Sequence, residues 1–116
     1  MKPAGKKAKG SAFERQLAQD IVDAGIDPYA RRQVLSGSVF GLEGDVRSAK
    51  FPFTVEAKRH EKIKLYEFWN QAEQQNVAPK RPLLVVKSSG KETLAVLRWS
   101  DLLETIWYAL RNEVMK

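Results

Sequence analysis

Two acids and a lysine between Gly44 and Lys58 have the residue types and spacing that phosphodiester chemistry needs. Asp45 follows Gly44, a short basic interval intervenes, and the chain then reads Phe51-Pro52-Phe53-Thr54-Val55-Glu56-Ala57-Lys58. Side chains alternate along a strand, so Glu56 and Lys58 share one face while Val55 and Ala57 take the other. If Asp45 lies across a hairpin from Glu56, two carboxylates converge with a lysine beside them. Carboxylate oxygens suit Mg²⁺, a hard ion usually held by one or two carboxylates together with waters and phosphate. A lysine at that edge can orient or help deprotonate a water, or neutralise charge building on phosphorus.

The elements that would position these groups can be read from periodicity. Residues 1–10 read as a flexible basic arm with lysines at 2, 6, 7 and 9 and little to bury. Residues 11–116 then form a single domain. Phe13, Leu17, Ile21 and Ala24 predict a helix from Ser11 to Ala24 that Gly25 stops. Ser11-Ala12-Phe13-Glu14 also fits a capping box, which gives Glu14 an ordinary structural use. Tyr29–Leu35 predicts a first strand, and Asp45–Ala49 with Phe51–Lys58 predicts a strand pair. Leu65–Val77 predicts a second helix ended by Pro79. Leu83–Val86 fits a buried strand, and Thr93–Leu97 another after the Ser88-Ser89-Gly90 turn. Ser100 is placed to cap a last helix from Asp101 to about Glu113. Helix, three strands, helix, two strands and helix predict an α/β fold, a central mixed sheet flanked by helices.

Composition narrows the partners. A chain of 116 residues holds one ordinary domain, and 43% hydrophobic residues support a core. The absence of cysteine rules out disulfides and thiolate zinc sites. His60 is the only histidine, so a zinc site is not expected. No apolar run approaches a membrane span and the N-terminus lacks the core of a secretory signal, which predicts a cytoplasmic protein. The net charge of +6 and pI near 9.7 favour a polyanionic partner.

Lys9-Gly10-Ser11-Ala12-Phe13-Glu14-Arg15, Gly44-Asp45 and Glu56-Ala57-Lys58, in this order, resemble the PD-(D/E)XK nucleases. More closely, they are similar to the archaeal-type Holliday junction resolvases, a group with phage members. The similarity runs from Lys9 to about Glu104. It implies a restriction-endonuclease-like core and a Mg²⁺-dependent endonuclease, with Mn²⁺ as a substitute, acting as a homodimer on four-way DNA junctions. It places Glu14, Asp45, Glu56 and Lys58 at the catalytic positions, with Asp45, Glu56 and Glu14 toward metal. One of Ser36 and Ser38 matches the active-site loop serine of these resolvases, and Gln71 resembles a helix-borne glutamine near the site. Gly44 stands where the family has a proline.

Around the expected site, Arg31, Arg32, Arg47, Arg59, Lys62 and Lys64 are candidate DNA contacts, joined by Arg15 and by Lys6, Lys7 and Lys9 of the arm. Plainer readings stand beside these: Asp45 and Glu56 as surface acids paired with Lys50 or Arg59, Lys58 as an ordinary partner of Glu56, Gln71 as a solvated helix residue. Trp69, Trp99, Trp107, Tyr66 and Tyr108 are expected in the core or at a dimer surface. The alternatives to a resolvase are another nuclease on the same fold, of restriction or repair type, and a basic DNA-binding module without catalysis.

Overall fold

The computed structural model describes residues 3–34 and 44–114, with side chains from residue 9. The elements follow the expected order: α1 (Pro3–Asp23), β1 (Arg31–Arg32), β2 (Val46–Arg47), β3 (Phe53–Arg59), α2 (Leu65–Gln75), β4 (Arg81–Lys87), β5 (Leu94–Val96) and α3 (Trp99–Val114). β3, β4 and β5 form a mixed sheet in that spatial order, β3–β4 parallel and β4–β5 antiparallel. The unbroken apolar run of β4 explains its central place, since both of its faces are covered. Leu83 and Val85 pack with Phe13, Leu17, Ala18 and Ile21 of α1. Leu84 and Val86 pack with Phe68 and Ala72 of α2. β3 divides in the same way: Val55 and Ala57 join the α1 core, which leaves Glu56 and Lys58 on the side averted from α1.

Several boundaries differ from the sequence-based expectation, each for a local reason. α1 begins at Pro3 and runs through the segment assigned to a basic arm. Proline suits a first helical turn, and Ala4, Lys6, Lys7, Ala8 and Lys9 are good helix formers. Ser11 therefore lies inside the helix and makes no capping box with Glu14. At the other end Gly25, with φ of 76°, closes a Schellman motif, its N–H on the Val22 carbonyl and that of Ile26 on the Ile21 carbonyl. Ser100 likewise lies within α3; Arg98 supplies the first helical carbonyl, to the N–H of Leu102. α2 ends at Gln75, where Asn76 turns to extended backbone.

The main topological correction concerns β2. It does not pair with β3 in a hairpin. It pairs antiparallel with β1, Arg31 opposite Arg47 and Arg32 opposite Val46. A buried latch turns the chain between β2 and β3: the Ser48 hydroxyl donates to the Asp27 carboxylate at 2.6 Å and accepts the Phe51 N–H at 3.0 Å. Among the described residues, Asp45 makes the hydrogen bonds that join this ribbon to the main sheet. Its N–H donates to the Val55 carbonyl at 2.8 Å, and its own carbonyl accepts the Gln33 N–H at 2.9 Å.

α3 is held mainly at its start. The Asp101 carboxylate, 2% exposed, binds the Arg81 guanidinium of β4, and Arg81 also reaches Glu104 at 3.2 Å. Beyond this clamp Leu103, Ile106, Trp107 and Leu110 remain about half exposed.

Candidate active site

Asp45 reaches the edge of β3 because residue 44 is glycine. Gly44 has φ of 33°, and a Cβ there would sit 2.3 Å from the Val55 carbonyl oxygen. No other residue permits so close a backbone approach. The position that holds proline in the resembled nucleases is thus occupied by the residue that this approach requires. The approach lets the Asp45 carboxylate accept the Ala57 N–H at 2.7 Å. Glu56, between Val55 and Ala57 on the other face of the strand, pairs with Lys58 at 3.5 Å, and both side chains are largely buried. The Lys58 ammonium lies 5.3 Å from the centre of the Phe68 ring on α2.

Glu14 comes from α1. Its carboxylate accepts a hydrogen bond from Arg32 Nε at 2.9 Å. Arg32, expected among DNA contacts, is therefore engaged with an acid of the site. Gln71 lies one turn beyond Phe68 on α2, half-buried. Ser36 and Ser38 lie outside the described residues, as do the side chains of Lys6 and Lys7. Lys9, Arg15, Arg31, Arg47, Lys62 and Lys64 are exposed; Arg59 is partly buried. His60 rests against Phe68, ring centres 4.8 Å apart. Of the plain pairings expected for the acids, Glu56 with Lys58 forms at 3.5 Å, whereas Asp45 does not pair with Lys50 nor Glu56 with Arg59.

Burial and mutual repulsion govern the carboxyls. Glu56 is pushed up to about 7, first by burial and then by the charge of Asp45, with Lys58 opposing. Burial also raises Asp45 against the pull of the Ala57 N–H, Lys58 and Arg32. Glu14 is raised by burial and by Asp45, and lowered by Arg32. Buried acids that push one another toward neutrality would be relieved by a nearby positive charge. Among the described residues no group of three or more His, Asp or Glu side chains closes tightly enough to cage a metal ion. Asp45 and Glu56 fit a different arrangement, in which a hard divalent ion takes two carboxylates and completes its shell from water and phosphate. Glu14, tied to Arg32, is near enough to exchange repulsion with Asp45 and Glu56.

Sequence reasoning missed three supporting pieces. The Ala57 N–H that orients Asp45 and the clearance at Gly44 depend on tertiary approach and leave no pattern. The Asp27 latch did have a signal: Asp27-Pro28-Tyr29 is turn chemistry, and the Asp27 carboxylate accepts the Tyr29 N–H at 2.9 Å.

A mixed sheet between α1 and α2, with Asp45 beside a Glu56-Ala57-Lys58 strand, is the core of a PD-(D/E)XK nuclease. The family model described as phage putative PDDEXK endonuclease matches residues 5–116, and the chain belongs to that family. No curated protein and no solved structure gives a significant match. No helix among the described residues is long and apolar enough to cross a membrane.

Proposed function

We propose that this nuclease is a metal-dependent, structure-selective endonuclease that resolves four-way DNA junctions by paired phosphodiester hydrolysis. The observation that carries the reading is the convergence of Asp45 and Glu56, beside Lys58, at the fork between the ribbon and β3. Asp45 and Glu56 would hold Mg²⁺, or Mn²⁺ in its place. The carbonyl of Ala57 leaves β3 on the same edge as the N–H that meets Asp45, so it is available as a further oxygen donor. A divalent cation there supplies positive charge to the scissile phosphate and the leaving oxygen. Lys58 orients the attacking water and keeps Glu56 ionised as substrate enters. Glu14, steadied by Arg32, would accept a hydrogen bond from a water in the site. Gln71, half-buried on α2, would add a polar group beside the phosphate, and the resemblance adds one of Ser36 and Ser38.

A homodimer belongs to this reading, because a two-fold enzyme matches a two-fold junction and brings two sites for paired nicks. The uncovered apolar stripe of α3 supports it: Leu103, Ile106, Trp107 and Leu110 recur at helical spacing and are about half exposed.

The test is cleavage of a labelled four-way junction beside linear duplex of the same sequence, with Mg²⁺ and with chelator. Paired metal-dependent nicks near the branch point, with duplex untouched, support resolution. Equal cutting of both moves the protein to a restriction- or repair-type nuclease. Tight binding without cutting under any metal leaves a DNA-binding module. Glu56→Ala should abolish cutting and retain junction binding; cutting near the wild-type rate would sink this site.

A further inference from the structure

The ribbon carries a second charged feature. Arg31 and Arg47 stand directly opposite each other in the β1–β2 pair. Like charges so placed destabilise a strand pair unless something lies between them. With Lys50 and the 80%-exposed ring of Tyr29 they line a cleft of about 330 Å³. Among the described residues, the one acid in its wall, Asp27, is 3% exposed and spends its oxygens on the Ser48 hydroxyl and the Tyr29 N–H. Those hydrogen bonds hold its carboxyl below the usual carboxylate range. The cleft therefore presents three cations against one carboxylate that is already satisfied.

Alternation fixes which face of the ribbon carries this cleft. Arg32 and Val46 face α1, the first holding Glu14 and the second in the core. Arg31 and Arg47, paired across the ribbon, therefore project from its other face. Arg47 is two residues from Asp45, about 7 Å along a strand. That distance is comparable with the separation of consecutive phosphates on one DNA strand.

We propose that Arg31 and Arg47 grip a single backbone phosphate of the substrate, the neighbour of the phosphate being cut. Two planar guanidinium forks match the oxygens of a phosphodiester, and Lys50 adds charge. The placement of this phosphate rests on the nuclease reading above; the existence of an anion-gripping cleft does not.

The test has two arms, both on the full chain. The first measures binding of a fluorescent junction in chelator across a salt series. Arg31→Gln/Arg47→Gln should weaken binding about tenfold and flatten the slope of log affinity against log salt by about one, the loss of one neutralised phosphate. A control, Lys91→Gln in the turn between β4 and β5, removes exposed charge elsewhere and should leave the slope close to wild type. A slope unchanged by the double variant overturns the proposal, whether or not the protein cuts DNA. The second arm places single methylphosphonates around the cut. Wild type should bind worse when the phosphate next to the scissile one is neutralised, and the double variant should be indifferent to that substitution. A scan in which no neighbouring position matters overturns the placement while leaving the nuclease reading intact. Absence of cutting with every metal overturns the nuclease reading while the salt arm still decides the cleft. Arg47→Lys, which keeps the charge and loses the fork, should restore the salt slope and only part of the affinity. A melting temperature for each variant near that of wild type separates these effects from misfolding.

Discussion

Glu56 is held in the metal-free protein at an energetic cost that its amide should remove. Its carboxyl moves from 4.5 to about 7 on folding. One pKa unit corresponds to about 1.4 kcal/mol, so the ceiling on this cost is about 3.4 kcal/mol. Water reaching the edge of the site screens part of it, which leaves roughly 2 kcal/mol. An acid raised on folding favours the native state only while it stays protonated there. Its contribution is full below pH 4.5 and is lost as pH climbs to 7, because the unfolded chain ionises first. Glu56→Gln should therefore melt above wild type at pH 8.5 in chelator, by on the order of 10 °C for a domain of this size. The gap should shrink steadily below pH 7 and close near pH 4, where wild type is itself neutral at this position. Circular dichroism melts at pH 4, 6 and 8.5 read this directly. Saturating Mg²⁺ should reverse the order at pH 8.5, since binding to the native state alone stabilises it and the amide is a poorer ligand. A Gln variant that melts below wild type at pH 8.5 without metal would refute the reasoning. It would mean that the Lys58 pair outweighs burial and the charge of Asp45.

Gly44→Ala should destabilise the domain by about 2–3 kcal/mol through clash and backbone strain, read by urea denaturation. The displaced Asp45 should slow cutting on the order of a hundredfold at saturating DNA. Arg81→Ala leaves the buried Asp101 carboxylate with only Arg98 at 3.7 Å, so about 2 kcal/mol should be lost. Amide exchange should then quicken along α3 before it quickens in β4. Leu110→Glu with Trp107→Glu should convert a dimer in sedimentation analysis to a monomer and turn paired nicks into single ones; an unchanged mass would place any dimer contact elsewhere.

The groups proposed for the chemistry were legible because their types are unusual where they stand. A glutamate and a lysine two apart on an otherwise apolar strand contradict the pattern around them, and that contradiction marks Glu56 and Lys58. The element order was legible from periodicity alone, β4 most clearly, since four apolar residues in a row demand cover on both faces. Strand partnership was not. β2 is two residues long, and its choice of β1 over β3 rests on the Asp27–Ser48 latch and on clearance at Gly44, both tertiary. Helix starts were misplaced for a related reason. Ser11 and Ser100 look like caps, but good helix formers before the first, and the Arg81–Asp101 clamp around the second, carry helix past them. Arg32 shows the limit for charges: neighbouring arginines in the sequence point to opposite faces, one to an acid of the site and one to the cleft.

Asp45 has a mechanical position as well as a chemical one. A single residue is hydrogen-bonded through its N–H to the main sheet and through its carbonyl to the ribbon. Ribbon and sheet are two plates, and the carboxylate sits on the seam. Shear between the plates would be felt first there, because among the described residues no second ladder shares the load. Residues far along the ribbon can thus alter the aim of Asp45 without touching it. Changes in activity from substitutions at β1 would then report on the set of this joint as much as on any contact made at the surface.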